Sequence, residues 1–241
     1  VGAAHHEGGP GYAFLELHPD YRHLEAEMIT WAEDHLARVH DDGTRELVFF
    51  VYDYDFPRRT LLMDRGYEAR WDGVMRKMRL NSRRPIPAPD LRPDVIAAGY
   101  TIRTTEPTHA DAQRIADVIN AGFNRTFHRA AELTNFYANS PDFRHDLDFV
   151  AVAPDGSFAS YAGLTLEPVN KYAIFEPVCT HPDHRRQGLA QALMLTGLHK
   201  LRALGAVDVY VGTGDAIPAN RLYDSLGFTE MYKGHGWVKT W

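Results

Sequence analysis

The stretch that most constrains this chain is residues 174–205, IFEPVCTHPDHRRQGLAQALMLTGLHKLRALG. Its first seven residues are largely apolar and β-favouring, so they predict a buried strand. Pro177 lies inside that strand and has no N–H to give to a neighbouring strand, which indicates an edge or a bulge. We therefore expect regular pairing to end near Pro177 and to leave the N–H groups of Val178, Cys179 and Thr180 available to a ligand.

The turn that follows carries Arg185, Arg186 and Gly188 and leads into an amphipathic helix that ends near Gly205. A helix N-terminus offers unpaired N–H groups and a positive partial charge. Gly188 lets a bulky anion approach the backbone, because it has no side chain. This combination suits a pyrophosphate.

A second pattern lies downstream. Residues 207–211 alternate as a strand, residues 212–214 break it, and residues 218–226 predict a short helix with Gly227 just past its end. The run ANRLYDSLGF spans residues 219–228. Together with Arg-x-x-Gly-x-Ala at residues 185–190, this run resembles the signature of the GNAT superfamily of N-acyltransferases.

The resemblance implies a fold and a co-substrate. The fold is α/β (α+β), a tandem GNAT fold with a mixed, mostly antiparallel sheet flanked by helices, and its element order fits nearly all of residues 99–241. The co-substrate is acetyl-CoA, with its pantetheine arm on the bulged strand and its pyrophosphate at the turn. By this resemblance, the cofactor-binding residues are Val178, Cys179, Thr180, Arg185, Arg186, Gln187, Gly188, Leu189, Ala190 and Asn220.

Each of the polar residues in that set also has a structural interpretation. Asn220 resembles the family's contact to the pantetheine arm, but it could instead cap the helix start. Arg185 and Arg186 point toward phosphates in the functional interpretation, and either could simply be solvated. We expect at least one of the two to touch CoA.

Two residues are candidates for catalysis. Tyr223 lies where the family places its general acid, and the alternative is a core tyrosine with a hydrogen-bonded hydroxyl. Glu176 could take a proton from the incoming amine, directly or through water. Its alternatives are a partly exposed charge beside the cleft, or an acceptor that only orients the amine. Two residues before Val178, it would share that residue's face, apart from any bulge.

Substrate contacts and metal sites are less sharply indicated. Phe127 and His128 lie between two predicted helices, where the family usually borders its acceptor site, and His235 is a candidate contact in a late hairpin or a plain turn residue. Cys179 could be a nucleophile but lacks a His/Asp constellation, so a small buried residue is the better interpretation. The histidines show no metal-binding spacing, so we expect no metal.

An internal repeat indicates a tandem chain. Residues 18–22 echo residues 181–185, and residues 61–67 echo residues 222–228. The first copy has Glu25 in place of Gly188, and a carboxylate there would repel a pyrophosphate. We therefore expect a structural or substrate-shaping half, with a second active site as the alternative. The predicted domains are residues 1–80, a partial and degenerate copy; 81–98, a proline-rich extended linker; and 99–241, the catalytic domain.

Composition limits the partners and the compartment. The formal net charge of −6 argues against a nucleic-acid partner. No run is long and apolar enough for a membrane span, and one cysteine fits a reducing cytoplasm. The chain starts at Val1 rather than Met, which suggests that an N-terminal piece is absent. A monomer and a homodimer are both compatible with a tandem chain.

The sequence thus predicts an acyltransferase that moves acetyl from acetyl-CoA directly to a primary amine of a small molecule. The alternative is a non-catalytic acyl-CoA-binding or scaffold protein. An intact Tyr223 argues against that alternative, because a binding module needs no proton donor. The acceptor itself and the acyl-chain preference are not encoded in any motif of this chain.

Overall fold

The computed structural model describes residues 1–6, 9–80, 85–214 and 216–241. The strands are β1 (Gly2–His6), β2 (Tyr12–Leu17), β3 (Arg38–Val39), β4 (Arg45–Tyr52), β5 (Glu68–Arg79), β6 (Thr101–Thr104), β7 (Asp148–Val152), β8 (Phe158–Glu167), β9 (Tyr172–Thr180), β10 (Asp208–Thr213) and β11 (Glu230–Thr240). The helices are α1 (Glu25–His35), α2 (Phe56–Asp64), α3 (Pro93–Ala97), α4 (His109–Phe123), α5 (Ala130–Asn139), α6 (Leu189–Ala203) and α7 (Ile217–Leu226).

The chain divides into two compact units. The first unit comprises Val1–Met75, Thr213–Ala216 and Met231–Trp241, and the second comprises Arg76–Gly212 and Ile217–Glu230.

The first unit is built on the strand order β1-β2-β4-β11-β5, with β3 beside β4. β2 and β4 run parallel, whereas β11 pairs antiparallel with β4 from Gly234 opposite Tyr52 to Thr240 opposite Glu46. Alternate residues of β4 face one core, as expected for a half-buried strand. That core consists of Leu47, Phe49 and Val51 of β4, Ile29 and Ala32 of α1, Leu62 of α2, and Trp237 of β11, with smaller neighbours.

The second unit has the strand order β5-β10-β9-β8-β7-β6, in which β5 contributes only its last residues. β9 and β10 are parallel, and the pairs from β9 to β6 are antiparallel. Helices cover both faces of this sheet, and neighbouring residues of β7 point to opposite faces. Phe149 and Ala151 pack with α6, and Val150 packs with α4.

One local prediction differs from the structure. The prolines of residues 81–98 do not exclude a helix, because Pro93 begins α3. A proline in a first turn loses no intrahelical hydrogen bond. Residues 81–84 lie outside the described residues. At the start of the described chain, Gly2–His6 form β1 and pair with β2.

The compact units also do not follow the predicted segments 1–80, 81–98 and 99–241. β11 belongs to the first unit because it pairs with β4, and Arg76 already belongs to the second. The boundaries between the ancestral repeats stay a prediction. Among the described residues, no helix combines the length and apolar character that a bilayer crossing requires.

Candidate active site

Strand β9 carries a bulge at the predicted place. Its pairing with β8 runs from Tyr172 to Phe175 and resumes at Val178 opposite Ala162, so β9 holds one extra residue there. The Glu176–Pro177 peptide bond is cis. The bulge at Pro177 is therefore confirmed, and it changes which residues of β9 share a face of the sheet.

The bulge affects the side of the sheet on which Glu176 lies. Phe175 and Val178 both pack on the α6 side of the sheet although they are three residues apart. The extra residue has reversed the alternation, so Glu176 does not share a face with Val178 as an unbroken strand would require. The side chain of Glu176 is exposed.

The register shows which β9 amides are available. The His181 N–H donates to the Ala159 carbonyl at 2.9 Å. Because hydrogen-bonded pairs alternate in an antiparallel ladder, the Cys179 N–H also faces β8, and those of Val178 and Thr180 point away from it. In the described part of the chain, pairing of β10 with β9 stops at Phe175. Two of the three expected amides thus point away from β8, and the Cys179 amide is used in the ladder.

The turn before α6 has the geometry that a ligand loop needs. Gly188 has φ +79° and a Cβ placed on it would meet nothing within 4 Å, so the space beside it is open. Arg186 also adopts a left-handed conformation, with φ 66°. Among the described residues, no side chain caps the first turn of α6. Its leading N–H groups are therefore exposed to any anion that approaches.

The turn is supported from below by Tyr100, a buried residue that sequence reasoning missed. Its hydroxyl shares a 2.8 Å hydrogen bond with His184 Nδ1 and accepts one from Gln187 Nε2 at 3.2 Å. Arg185 donates to the carbonyls of Gly122 and Thr180, at 3.1 Å and 3.4 Å. Arg185 is therefore tied to the protein backbone, while the side chain of Arg186 is exposed.

Tyr223 lies on helix α7, in the second unit. The side chain is 5% exposed, and its ring contacts Phe228 edge-on. Within the described ranges, its hydroxyl forms no hydrogen bond. The structural alternative was a core tyrosine with a hydrogen-bonded hydroxyl, so the observed residue differs from it. Burial raises the pKa of Tyr223 to about 12, against the lowering effect of the nearby Arg76 charge.

Asn220 and the end of α7 are held by Arg76, a second residue that the motifs did not reveal. Arg76 Nε donates to Asn220 Oδ1 at 2.8 Å, and Nη1 donates to Asp224 Oδ1 at 2.5 Å. Its signal in the sequence is a charge among the alternate residues Val74, Arg76 and Met78 of a strand, where apolar side chains are expected.

A buried carboxyl also lies beside the bulge. Asp148 is 1% exposed and accepts hydrogen bonds from the Tyr161 hydroxyl at 2.6 Å and Thr105 Oγ1 at 2.8 Å. Burial raises its pKa to about 6. A Cβ placed on Gly163, which faces the bulge, would lie 3.1 Å from the Tyr161 hydroxyl.

The predicted acceptor contacts fall in two places. Phe127 and His128 lie between α4 and α5; Phe127 is 61% exposed, and His128 Nδ1 is 3.2 Å from Glu132 Oε1. His235 is not in a turn but within β11, in the first unit, where Nε2 and Nδ1 lie 2.9 Å and 2.8 Å from Asp53 and Asp72 carboxylate oxygens.

The single cysteine is a packing residue. Cys179 is buried, and burial raises the pKa of its thiol to about 12. A Cβ on Gly122 of α4 would lie 2.8 Å from the Cys179 Cβ, so the helix packs directly over it. Within the ranges that the structure describes, no cluster of three His, Cys, Asp or Glu side chains could hold a metal.

In the first unit, the position equivalent to Gly188 is filled. Glu25 is 3% exposed and forms ion pairs with Arg22, at 3.2 Å, and with Arg58. Asp55 completes the network through two hydrogen bonds from Arg22, at 2.6 Å and 2.8 Å. Burial is the largest single influence and raises the Asp55 pKa, but the Arg22 hydrogen bond and the charges of Arg58 and Arg22 together outweigh it, so the net shift is downward. We call Arg22, Glu25, Asp55 and Arg58 the ion-pair network.

Comparison with known proteins identifies the class of enzyme. Residues 113–228 match the family model described as "Acetyltransferase (GNAT) family". The matched residues contain the β9 bulge, the Gly188 turn and α7. This region of the chain therefore has the pattern of the GNAT acetyltransferase family, and the prediction of an N-acetyltransferase, an acyltransferase, is confirmed.

Two curated relatives carry a more particular name. The mycothiol acetyltransferase of Rhodococcus erythropolis is 28% identical over 250 residues, which span 92% of this chain and 78% of that protein. The mycothiol acetyltransferase of Nocardiopsis dassonvillei is 41% identical over 98 residues, which span 36% of this chain and 28% of that protein.

Solved structures confirm the predicted tandem GNAT fold. A tandem GNAT protein from the clavulanic acid biosynthesis pathway superimposes with a TM-score of 0.70 at 21% identity, covering 100% of this chain and 79% of that one. A GCN5-related N-acetyltransferase from Sphaerobacter thermophilus gives a TM-score of 0.66 at 22% identity, covering 95% of this chain and 72% of that one.

Proposed function

We propose that the chain transfers acetyl from acetyl-CoA directly to a primary amine of a small molecule. One observation carries the proposal, the combination of two features in the second unit. At the β9 bulge, backbone amides point away from β8, and at the start of α6, the first turn has no side-chain cap and has open space beside Gly188. An acyl-CoA has an amide-bearing arm and a pyrophosphate, and these are the groups that two such features recognise.

The roles follow from the chemistry of each group. The pyrophosphate lies at the first turn of α6, with Arg186 as the exposed cation beside it. The pantetheine arm lies along Val178 and Thr180, with Asn220 as its polar contact on α7. The Val178 N–H stabilises the oxyanion that forms when the amine adds to the thioester carbonyl.

Tyr223 supplies the proton for the leaving sulfur. With a pKa of about 12, its hydroxyl stays protonated at every working pH. It is a weaker acid than a thiol of pKa about 8.5. Transfer of its proton to the thiolate alone is therefore uphill. The hydroxyl gives its proton to sulfur as the C–S bond breaks, together with return of the proton that the amine releases, which regenerates the tyrosine. Glu176, at the bulge, takes up the amine proton directly or through water.

A small amine is the acceptor that the remaining features favour. Phe127 gives an exposed aromatic surface and His128 a polar edge between α4 and α5. The two relatives named mycothiol acetyltransferase support an acceptor of metabolite size. The net charge of −6 favours a cationic amine over an acidic one.

Substitution of Tyr223 tests this function. We expect Tyr223→Phe to lower kcat by roughly 100-fold, the scale of one general acid, and to leave the KM for acetyl-CoA nearly unchanged. The assay detects free CoA thiol against a panel of primary amines that includes mycothiol-related amines. Tyr172→Phe, a half-buried tyrosine at the start of β9, is the matched control.

Two results would contradict the proposal. Full turnover by Tyr223→Phe would remove Tyr223 from the acid role. Tight binding of acetyl-CoA without turnover of any amine in the panel would leave the chain as a binding module.

A further inference from the structure

Arg76 is a buried arginine that serves helix α7. It is 5% exposed and lies near the end of β5, on the side where Met78 joins the core of the second unit. A buried guanidinium is costly unless its donors are paired. Here the donors reach three separate points of the segment that carries Tyr223.

The three contacts bracket the helix. Nε binds the Asn220 side chain at 2.8 Å in the first turn, and Nη1 binds Asp224 at 2.5 Å one turn later. Nη1 also donates to the Phe228 carbonyl at 2.9 Å, just beyond the end of α7. One rigid planar group thus fixes the start and the end of a ten-residue helix.

We propose that Arg76 is a positioning residue for acetyl transfer, which holds α7 so that Asn220 and Tyr223 stand at fixed places beside the bulge of β9. This inference rests on the proposed function. A helix of this length is marginal without tertiary support, so its placement depends on such contacts. The bond to Asn220 Oδ1 also sets the orientation of the carboxamide.

Arg76 belongs to a part of the chain that the family pattern does not cover. Arg76 lies well before residues 113–228, which match the family model. It comes from a strand that the sequence repeat places in the first copy. Helix α7 is therefore held by a residue outside the part of the chain that matches the family model.

Full-length variants test the inference. We expect Arg76→Met to lower kcat by roughly tenfold or more, because small displacements of catalytic groups cost rate steeply, and to raise the KM for acetyl-CoA. Arg76→Lys retains charge but not the fork, so it recovers only part of the rate. Asp224→Asn, at a half-exposed partner, gives a smaller loss of the same kind. Arg79→Met, on an exposed side chain of the same strand, leaves both constants unchanged.

Two readouts separate positioning from stability alone. Guanidinium ion at millimolar concentration should restore part of the kcat of Arg76→Ala, and amide hydrogen exchange should accelerate within α7 but not within α6. If Arg76→Met keeps the wild-type kcat and α7 exchange, the inference is wrong. If it does not fold, Arg76→Lys and Asp224→Asn decide by the same two measurements. Should the wild type turn over no amine, the proposed function fails, whereas α7 exchange still decides the role of Arg76.

Discussion

At the scale of single residues, Gly188 is the position on which co-substrate binding depends. Gly188→Glu copies the first unit and places a carboxylate at the pyrophosphate site. We expect acetyl-CoA affinity to fall by at least roughly 100-fold, the order of cost of an unpaired buried charge. Titration calorimetry with acetyl-CoA measures it.

Gly205→Glu is the matched control for that experiment. Gly205 has φ +83° and open space for a Cβ, and it follows the other end of α6. The two substitutions share backbone strain and added charge but differ in distance from the turn. Equal affinities for acetyl-CoA in both variants would contradict the assignment of the loop.

Asp148 gives a prediction on pH. Its folded-state pKa of about 6 lies above the ordinary aspartate value of 3.8, so the folded protein binds the proton more tightly. Stability from this group is present at low pH and is lost as the pH rises through about 6. Each pKa unit is worth about 1.4 kcal/mol, so the free energy of unfolding of Asp148→Asn should rise by about 3 kcal/mol relative to wild type between pH 4 and pH 7. Denaturant titrations at several pH values measure that difference, and a pH-independent difference would contradict the prediction.

The sequence predicted the backbone of the site better than it predicted the contacts of its side chains. Pro177 predicted the bulge because proline lacks an N–H, and Gly188 predicted the open turn because glycine lacks a Cβ. Arg76, Tyr100 and Asp148 were missed, because their roles arise from contacts across tens of residues that no local spacing encodes. The predicted roles of the site residues stay predictions.

At the scale of elements, the ion-pair network replaces a ligand site with a stabilising contact. It joins the start of α1 to the start of α2 through Glu25 and Arg58. We expect Glu25→Ala to lower the free energy of unfolding by about 1–3 kcal/mol, because it leaves the half-buried Arg58 with only Asp55 as its partner.

Glu27→Ala is its control, since Glu27 is exposed on the same helix. Denaturant unfolding compares the two variants. A loss in Glu25→Ala no larger than in Glu27→Ala would show that the network contributes little. Acetyl-CoA binding by the second unit should be unchanged in both.

The sequence predicted individual helices and strands better than it predicted which of them pair or pack together. Periodicity located α6, because the helix buries one stripe of apolar residues. The brief helix α3 forms in the segment predicted to be a proline-rich extended linker, because a proline is permitted in the first turn of a helix. Strand β11 was expected within a late hairpin of the catalytic domain, and nothing in its sequence specifies β4 as its neighbour.

At the scale of the whole molecule, the two compact units are not two consecutive pieces of chain. We expect a fragment of residues 99–241 to be poorly soluble and to lack a cooperative unfolding transition, because it exposes β11 without β4 and removes Arg76. Soluble yield, thermal unfolding and acetyl-CoA binding measure this. Co-expression with residues 1–98 should restore all three, and a stable fragment that binds acetyl-CoA would contradict the prediction.

The return of β11 to the first unit also governs the timing of folding during synthesis. Trp237 is a member of the first unit's core, whereas the other buried members of that core lie between Ala13 and Tyr67. Residues Arg76–Gly212 of the second unit are therefore synthesised before the first unit receives Trp237. The half of the protein that is made first is therefore the half that is finished last.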